Sequence, residues 1–298
     1  MTNTQKQQFY FLGTLCLLAV FLFKSDAIIA AASNALLLSA RTILPALFPF
    51  LVLSGILCAA AIDLPLPGGR LFRRFFRLPE VGIVAFLLGA LCGFPIGVKV
   101  TAELFRSGKL QEEEAARLAA FSANTGPAFA VAGIGCGLFG DPSLGWKLYL
   151  TQLLSAVLLG FFSARRMPSP RESMIGKTAP LTIDLPDILA SASHTMVTTV
   201  GTIVFFGCLS SLPALFLPAE PSALVTALLE VGNGSAAAAA LPRRIGVPLT
   251  AFALSFSGFS VLMQSATLLS PYKISSAPLF KRKLAQGILS ALILLPLT

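Results

Sequence analysis

Two ionisable residues, Lys99 and Glu103, directly follow an interruption in an apolar stretch that reads GALCGFPIGVKVTAELFRSGKL. Proline lacks an N–H and disfavours helix just before it, whereas glycine permits a tight turn. Ionisable residues inside a membrane segment are costly and by default mark a functional site. Lys99 is therefore a candidate ligand for an anionic solute, with snorkelling to the interface as the structural alternative. Glu103 is expected to pair with Lys99. The interruption adds the candidate binding residues Gly93, Phe94, Pro95 and Gly97.

A second interruption lies in the segment FSANTGPAF, where Asn124, Thr125 and Gly126 precede Pro127. These residues offer an amide, a hydroxyl and exposed backbone groups. The N-terminus of a half-helix at such a break attracts anions. We therefore count Asn124, Thr125 and Gly126 as candidate substrate-binding residues. The structural alternative is a simple kink, for which Pro127 is sufficient.

Polar residues also interrupt two apolar segments of the second half. Glu230, within LLEVGNG, is a candidate for a coupling or substrate network, with an interfacial carboxylate as the alternative. The remaining candidate substrate-binding residues of this half are Asn233, Ser257, Gly258, Ser260 and Gln264.

No catalytic set is found beside these candidates. The sequence contains no paired Ser/His/Asp pattern, no H-E-x-x-H and no phosphate loop ending in Gly-Lys-Ser/Thr. The five cysteines lie in apolar runs without paired spacing, and His194 has no Cys or His neighbour at ligand spacing. We expect neither an enzyme nor a metal site, and no cofactor.

The composition indicates that these residues lie in a membrane. The 298 residues are 55% hydrophobic and 12% charged, whereas soluble domains carry roughly 25% charged residues. Uncharged runs long enough to cross a bilayer recur along the chain, so the lipid bilayer is one partner. The formal charge of +9 comes from basic residues clustered in short loops, as the positive-inside rule expects, and nucleic acid is not a predicted partner.

The fold class predicted is an all-α polytopic membrane protein with about seven to nine transmembrane or re-entrant segments. An N-terminal membrane helix covers residues 1–26, and a first transporter repeat covers 27–165. A cytoplasmic connector covers 166–186, and a second repeat covers 187–298. The chain enters from the cytoplasmic side at residue 81, after a basic loop, and Arg106 and Lys109 return it to the same side, which predicts a re-entrant hairpin.

An internal repeat is suggested by a shift of 165 residues, which aligns GALCGFPIGVKV with LSFSGFSVLMQS. It pairs Gly93 with Gly258, Lys99 with Gln264 and, further on, Arg117 with Arg282. Two halves with matching interrupted segments are typical of secondary transporters, whose substrate binds near the midplane. We therefore predict two related, inverted repeats with non-helical tips at 92–98 and 257–261. The topology of the second half stays open, because inversion would place the basic residues 281–283 outside.

The order of several motifs resembles that of the sporulation integral membrane protein YlbJ (SpoVV) family. These motifs are ILPALFPFLVLSGIL, GALCGFPIGVK, FSANTGP, LLEVGNG and SFSGFSVLMQ, over roughly residues 35 to 290. The family carries the nucleoside-recognition, or Gate, domain, which is similar to the core of concentrative nucleoside transporters. The resemblance implies a bacterial cell-membrane protein that moves dipicolinate into the developing endospore across the outer forespore membrane.

Three functions therefore compete at this point. The first is a secondary-type transporter of a small anionic solute, with dipicolinate as the expected substrate. The second is a carrier of nucleosides or other small metabolites, and the third is a membrane scaffold for spore assembly that transports nothing. The sequence leaves the coupling ion and transport direction open, and a homo-oligomer is compatible with it.

Overall fold

The computed structural model describes residues 3–61, 67–165 and 183–297, and all regular secondary structure in these ranges is helical. Four helical stretches are long and apolar enough to cross a membrane: Thr4–Phe23, Pro142–Ala164, Leu185–Phe216 and Arg243–Tyr272. Shorter apolar helices lie between them. The prediction of an all-α polytopic membrane protein is confirmed. Most of the predicted connector, residues 166–182, lies outside the described residues.

The first half consists of eight α-helices and two π-helical segments among the described residues. In chain order they are α1 (Asn3–Phe23), α2 (Ser25–Leu38), a π-helical turn (Ser39–Ile43), α3 (Leu44–Ala61), α4 (Gly69–Phe76), α5 (Gly82–Cys92), α6 (Ile96–Arg106), α7 (Glu112–Ser122), a π-helical segment (Ala128–Cys136) and α8 (Pro142–Ala164).

The second half has the same kinds of element. They are α9 (Leu185–Ser211), α10 (Pro213–Phe216), α11 (Ala219–Leu229), α12 (Val231–Ala239), α13 (Arg243–Phe256), α14 (Gly258–Leu269) and α15 (Ala277–Leu294), with 3₁₀ turns at Ser270–Tyr272 and Leu295–Leu297.

Helices α5 and α6 form the helical hairpin that the sequence predicts. A Cβ atom on Gly97 would lie 2.9 Å from the Cα of Gly89, although the two residues are eight positions apart. Such an approach requires the chain to reverse between them. The reversal occurs at 93–95, where Gly93 has a left-handed φ of 85°. The non-helical tip is therefore shorter than the predicted 92–98, because α6 begins at Ile96, directly after the proline.

A second hairpin is formed by α11 and α12, with Glu230 as its extended tip. A Cβ atom on Gly234 would collide with the backbone of Ala227, which again requires a reversal. The prediction of a second tip at 257–261 is wrong. Only Ser257 is non-helical there, and α13 and α14 form one bent span over Arg243–Tyr272.

The element order also corrects the register of the repeat. Each half contains a hairpin, then an interrupted span, then a long helix, so the tip 93–95 corresponds to Glu230 and the break 123–126 corresponds to Ser257. The shift of 165 instead paired the first hairpin tip with the break of the second span. The error has a physical cause, since both kinds of break contain a glycine with positive φ, Gly93 at 85° and Gly258 at 69°.

Two ion pairs mark the opposite faces of the molecule. Arg106, at the end of α6, lies 3.8 Å from Asp187 at the start of α9. Asp141, which precedes α8, lies 2.8 Å from Arg243 at the start of α13. The first hairpin therefore opens towards the Arg106 face and the second towards the Arg243 face.

The start of α15 lies on the same face as Arg106, because Arg282 lines a cavity with Arg117 of α7. Inverted hairpins therefore leave the basic residues 281–283 on the same face as Arg106. Inversion does not separate them from the Arg106 face, because α13 and α14 cross the molecule before α15 begins. The side of the membrane that this face occupies stays a prediction.

Candidate functional site

A cavity of about 130 Å³ lies between the first hairpin, α9 and α14. The hairpin contributes Pro95, Lys99 and Glu103 to its wall. Helix α14 contributes Gln264 and Thr267. The cavity therefore lies where elements of the two halves meet, which is where transporters built from repeats bind their substrates.

Lys99 is the main charged group of this cavity. It is 3% exposed, and its Nζ has no hydrogen-bond partner among the described residues. The nearest carboxylate is that of Glu103, with 3.9 Å between Nζ and Oε1. The expected ion pair of Lys99 with Glu103 is present, but its distance is too long for a hydrogen bond. The N–H donors of the ammonium group are therefore available to a ligand.

Helix α9 presents a row of hydroxyl groups to the same cavity. Ser191, Thr195 and Thr198 lie on one face at helical spacing, together with Thr199 and His194. The hydroxyl of Thr195 donates to the carbonyl of Ser191 at 2.8 Å, so it offers the cavity an acceptor oxygen. This row was not predicted from the sequence, where His194 was considered only as a metal ligand. Its signal is the repetition of Ser and Thr every three to four residues along an apolar helix.

Three of the predicted binding residues line the cavity: Pro95, Lys99 and Gln264. The shift of 165 residues paired Lys99 with Gln264, and both side chains do reach this space. The other predicted residues lie elsewhere, and most of them have structural contacts of their own.

Residues 124–126 hold the interrupted span of the first half in place. The side-chain amide of Gln152 bonds both backbone groups of Thr125, accepting from its N–H and donating to its carbonyl, each at 3.0 Å. The Thr125 hydroxyl donates to the carbonyl of Leu254 at 3.1 Å, which ties the break to α13. Asn124 donates to the carbonyl of Phe121 at 2.7 Å. Gly126 packs so closely on Gly93 that a Cβ on Gly93 would lie 2.8 Å from its nitrogen.

Lys283 completes this arrangement from α15. Its side chain is fully buried, and Nζ donates to the carbonyl of Ala123 at 2.6 Å and to Oε1 of Gln286 at 2.8 Å. Gln286 in turn donates to Oδ1 of Asn124 at 3.1 Å. The ammonium therefore satisfies a carbonyl left free at the C-terminal end of α7, where a positive charge also complements the helix dipole.

The polar residues of the second hairpin cap and pack its tip. The Glu230 carboxylate accepts from the backbone N–H of Asn233 at 2.7 Å, as an N-cap residue of α12 does. Asn233 donates to Oγ of Ser210 at 2.7 Å. Gly258 packs against the backbone of the tip. A Cβ atom on Gly258 would lie 3.1 Å from the backbone nitrogen of Val231.

The last predicted residues also lie off the cavity wall. Ser257 has a left-handed φ of 75°, and its hydroxyl donates to the carbonyl of Leu254 at 3.4 Å. The buried hydroxyl of Ser260 has no partner among the described residues. Phe94 packs on an apolar cluster that includes Val231, so the two hairpin tips share a core.

Comparison with known proteins agrees with the motifs. No family model and no solved structure matches the chain. The sporulation integral membrane protein YlbJ of Bacillus subtilis (strain 168) is 25% identical over 343 aligned positions, which cover 95% of this chain and 82% of that protein. The match extends over both hairpins and both interrupted spans. Over nearly its whole length, this chain is therefore similar to a sporulation integral membrane protein.

Proposed function

We propose that the protein is a secondary-type transporter that binds a small anionic solute in the cavity between the first hairpin, α9 and α14. The observation that carries the proposal is the buried ammonium of Lys99, which faces this cavity without a hydrogen-bond partner among the described residues. An ammonium within a membrane costs about 2.5–3.5 kcal/mol on insertion scales, so an idle lysine there is unfavourable. A bound carboxylate offsets that cost, because hydrogen bonds to charged groups contribute roughly 1.5–3 kcal/mol.

The size and lining of the cavity support a compact solute. A volume of about 130 Å³ is close to the roughly 150 Å³ of an apolar cavity that takes benzene, so a single six-membered ring fits. The hydroxyl groups of α9 and the amide of Gln264 offer further hydrogen bonds to polar substituents. Dipicolinate, the solute that the family resemblance implies, is an aromatic ring with two carboxylates. We propose it as the substrate, moved into the developing endospore across the outer forespore membrane.

Glu103 has a defined part in this proposal. A carboxylate of the solute replaces Glu103 as the partner of Lys99, because both bind the same ammonium group. Glu103 then loses the partner with which it forms an ion pair, and a half-buried carboxylate that loses its contacting charge is expected to take up a proton. Release of the solute restores the pair of Lys99 and Glu103 and frees that proton, so solute and proton are bound and released together.

Uptake into proteoliposomes tests the proposal. Vesicles containing the purified protein should accumulate labelled dipicolinate, and vesicles without protein should not. Labelled nucleosides are measured in parallel, since uptake of nucleosides instead of dipicolinate would favour the metabolite carrier. A correctly folded protein that moves neither class of solute would favour the scaffold and overturn the proposal.

A further inference from the structure

A second, smaller cavity lies between the cytoplasmic ends of α7, α8 and α15, away from the cavity of Lys99. Its volume is about 20 Å³, and Arg117, Ser163 and Arg282 are among the residues that line it. Arg117 belongs to α7, Ser163 to the last turn of α8, and Arg282 to the second turn of α15. Two guanidinium groups therefore face one small space.

Within the described residues, the two arginines are not neutralised by a contacting carboxylate. Arg117 is 7% exposed, and two of its nitrogens donate to the carbonyls of Phe76, at 2.6 Å, and Arg77, at 3.3 Å. Its Nε is buried and has no hydrogen-bond partner in the described part of the chain, and the same holds for Nη1 of Arg282. Among the described residues, no carboxylate oxygen lies within 4.0 Å of either guanidinium.

The electrostatic surroundings increase the need for a negative charge. Arg117 and Arg282 repel each other. Glu113 and Glu114, on the first turn of α7, attract Arg117 but form no contact with it. A buried charge without a paired partner is strongly unfavourable, and two of the same sign are more so.

We propose that this cavity is an anion-binding site in which Arg117 and Arg282 together hold one oxygen of a phosphate-type group at the cytoplasmic face. A volume of about 20 Å³ admits one water-sized group. The anion therefore enters with a single oxygen, accepting from Nε of Arg117 and Nη1 of Arg282, and its remainder stays beside the half-buried Arg282. Guanidinium groups suit phosphate oxygens in both charge and geometry.

The phosphate has two sources, inorganic phosphate in the cytoplasm and the head group of an anionic lipid. The site lies at the end of α8, which is long and apolar enough to cross a membrane, so either source is accessible there. The proposal is independent of the transported solute, because the site shares no lining residue with the cavity of Lys99.

The thermal unfolding midpoint of the purified full-length protein tests the site. One arm titrates inorganic phosphate at constant ionic strength. The other compares nanodiscs of phosphatidylcholine with and without phosphatidylglycerol. We expect the midpoint to rise in at least one arm, and the arm that responds identifies the source.

The variants separate this site from general charge effects. Arg282→Gln should weaken the apparent affinity for the responding anion at least tenfold, because one of two charged donors is lost. Arg282→Glu should be as stable without the anion as the wild type is with it, and should not respond to the anion. Lys281→Gln removes the same charge from the neighbouring, exposed position and should respond like the wild type. An unresponsive wild type, or an Arg282→Gln protein that responds like the wild type, overturns the proposal.

Discussion

The role of Lys99 was predicted from the sequence, and the structure distinguishes between the two interpretations of it. Its position after Gly93 and Pro95 predicts a charge at the end of a hairpin tip, with snorkelling as the competing interpretation. In the structure the side chain is 3% exposed and faces a polar cavity. A snorkelling lysine keeps its charged group in water, so this burial favours a binding role.

Replacing Lys99 should separate binding from folding. Lys99→Gln is expected to keep the fold and to weaken solute affinity at least tenfold, since a charge-assisted hydrogen bond of roughly 1.5–3 kcal/mol is lost. Lys99→Arg should recover only part of the affinity, because the guanidinium is wider and planar. The measurement is the concentration dependence of dipicolinate uptake, normalised to protein in the membrane.

The control for this series is Lys281→Gln, which removes the same charge at an exposed position outside the cavity. Its affinity should match that of the wild type. Wild-type affinity in Lys99→Gln would show that the solute binds elsewhere.

The burial of Lys283 could not be predicted from its neighbours in the sequence. It stands beside Lys281 and Arg282, so it looks like one of several charges at a membrane surface. Only the rotation of α15 shows that Lys281 is exposed while Lys283 is fully buried. The sequence signal was its spacing from Gln286 and Ser290, which places all three on one helical face.

Removal of the Lys283 charge is expected to destabilise the protein. Lys283→Met leaves the carbonyl of Ala123 and the side chain of Gln286 without their donor, and an unsatisfied buried polar group costs about 1–3 kcal/mol. The free energy of unfolding in detergent measures this loss. Lys281→Met, at the exposed position, should change it by less than about 0.5 kcal/mol. Equal or higher stability of Lys283→Met would mean that burying the ammonium costs more than its bonds return.

At the scale of elements, the sequence locates the breaks but not their geometry. Glycine, proline and polar residues mark all four interruptions, at 93–95, 123–126, 230 and 257. Whether the chain reverses or continues after a break depends on close packing. Gly97 on Gly89 and Gly234 on Ala227 hold the two hairpins closed, and such contacts between segments are not visible in local composition.

The close packing of the first hairpin can be tested with one methyl group. Gly97→Ala would place its Cβ against the carbonyl of Ser122 and 2.9 Å from the Cα of Gly89, so backbone must move. Overpacking of this kind costs about 1–3 kcal/mol.

Gly201→Ala is the matched control, because nothing lies within 4 Å of the position of its Cβ in α9. Alanine there should be neutral or stabilising by up to about 1 kcal/mol, since it favours helix. Thermal unfolding of both variants in the same detergent makes the comparison. Equal midpoints would mean that α5 and α6 do not pack as described.

At the scale of the molecule, composition alone predicts the membrane class, and the sequence of motifs predicts the division into two related halves. The register between the halves could not be predicted, because the few identities aligned a hairpin tip with a span break. The orientation of the second half was left open for a similar reason. The basic residues of α15 indicated the cytoplasmic side of the membrane. The number of membrane crossings before α15, however, depends on whether the chain reverses at 257–261.

The inverted arrangement makes a prediction about which face of the membrane each ion pair occupies. The Arg106–Asp187 pair lies on the face where the basic α4 and the start of α15 lie, which the positive-inside rule assigns to the cytoplasm. The Asp141–Arg243 pair lies on the opposite face. The Leu144 N–H and the Arg243 guanidinium hold the pKa of Asp141 below its usual range, so this pair is charged at neutral pH.

Single cysteines at the two aspartates report the faces directly, in a background whose five native cysteines are replaced by serine. An impermeant thiol reagent should label Asp141→Cys in intact cells and Asp187→Cys only after permeabilisation. Both aspartates are at the protein surface, with side chains 34% and 64% exposed, so both cysteines are accessible once the reagent reaches them. Exposed ion pairs contribute little to stability, so neither change should unfold the protein. Labelling of both positions from the same side would mean that the hairpins enter from one face, and a cavity between inverted halves would then have to be abandoned.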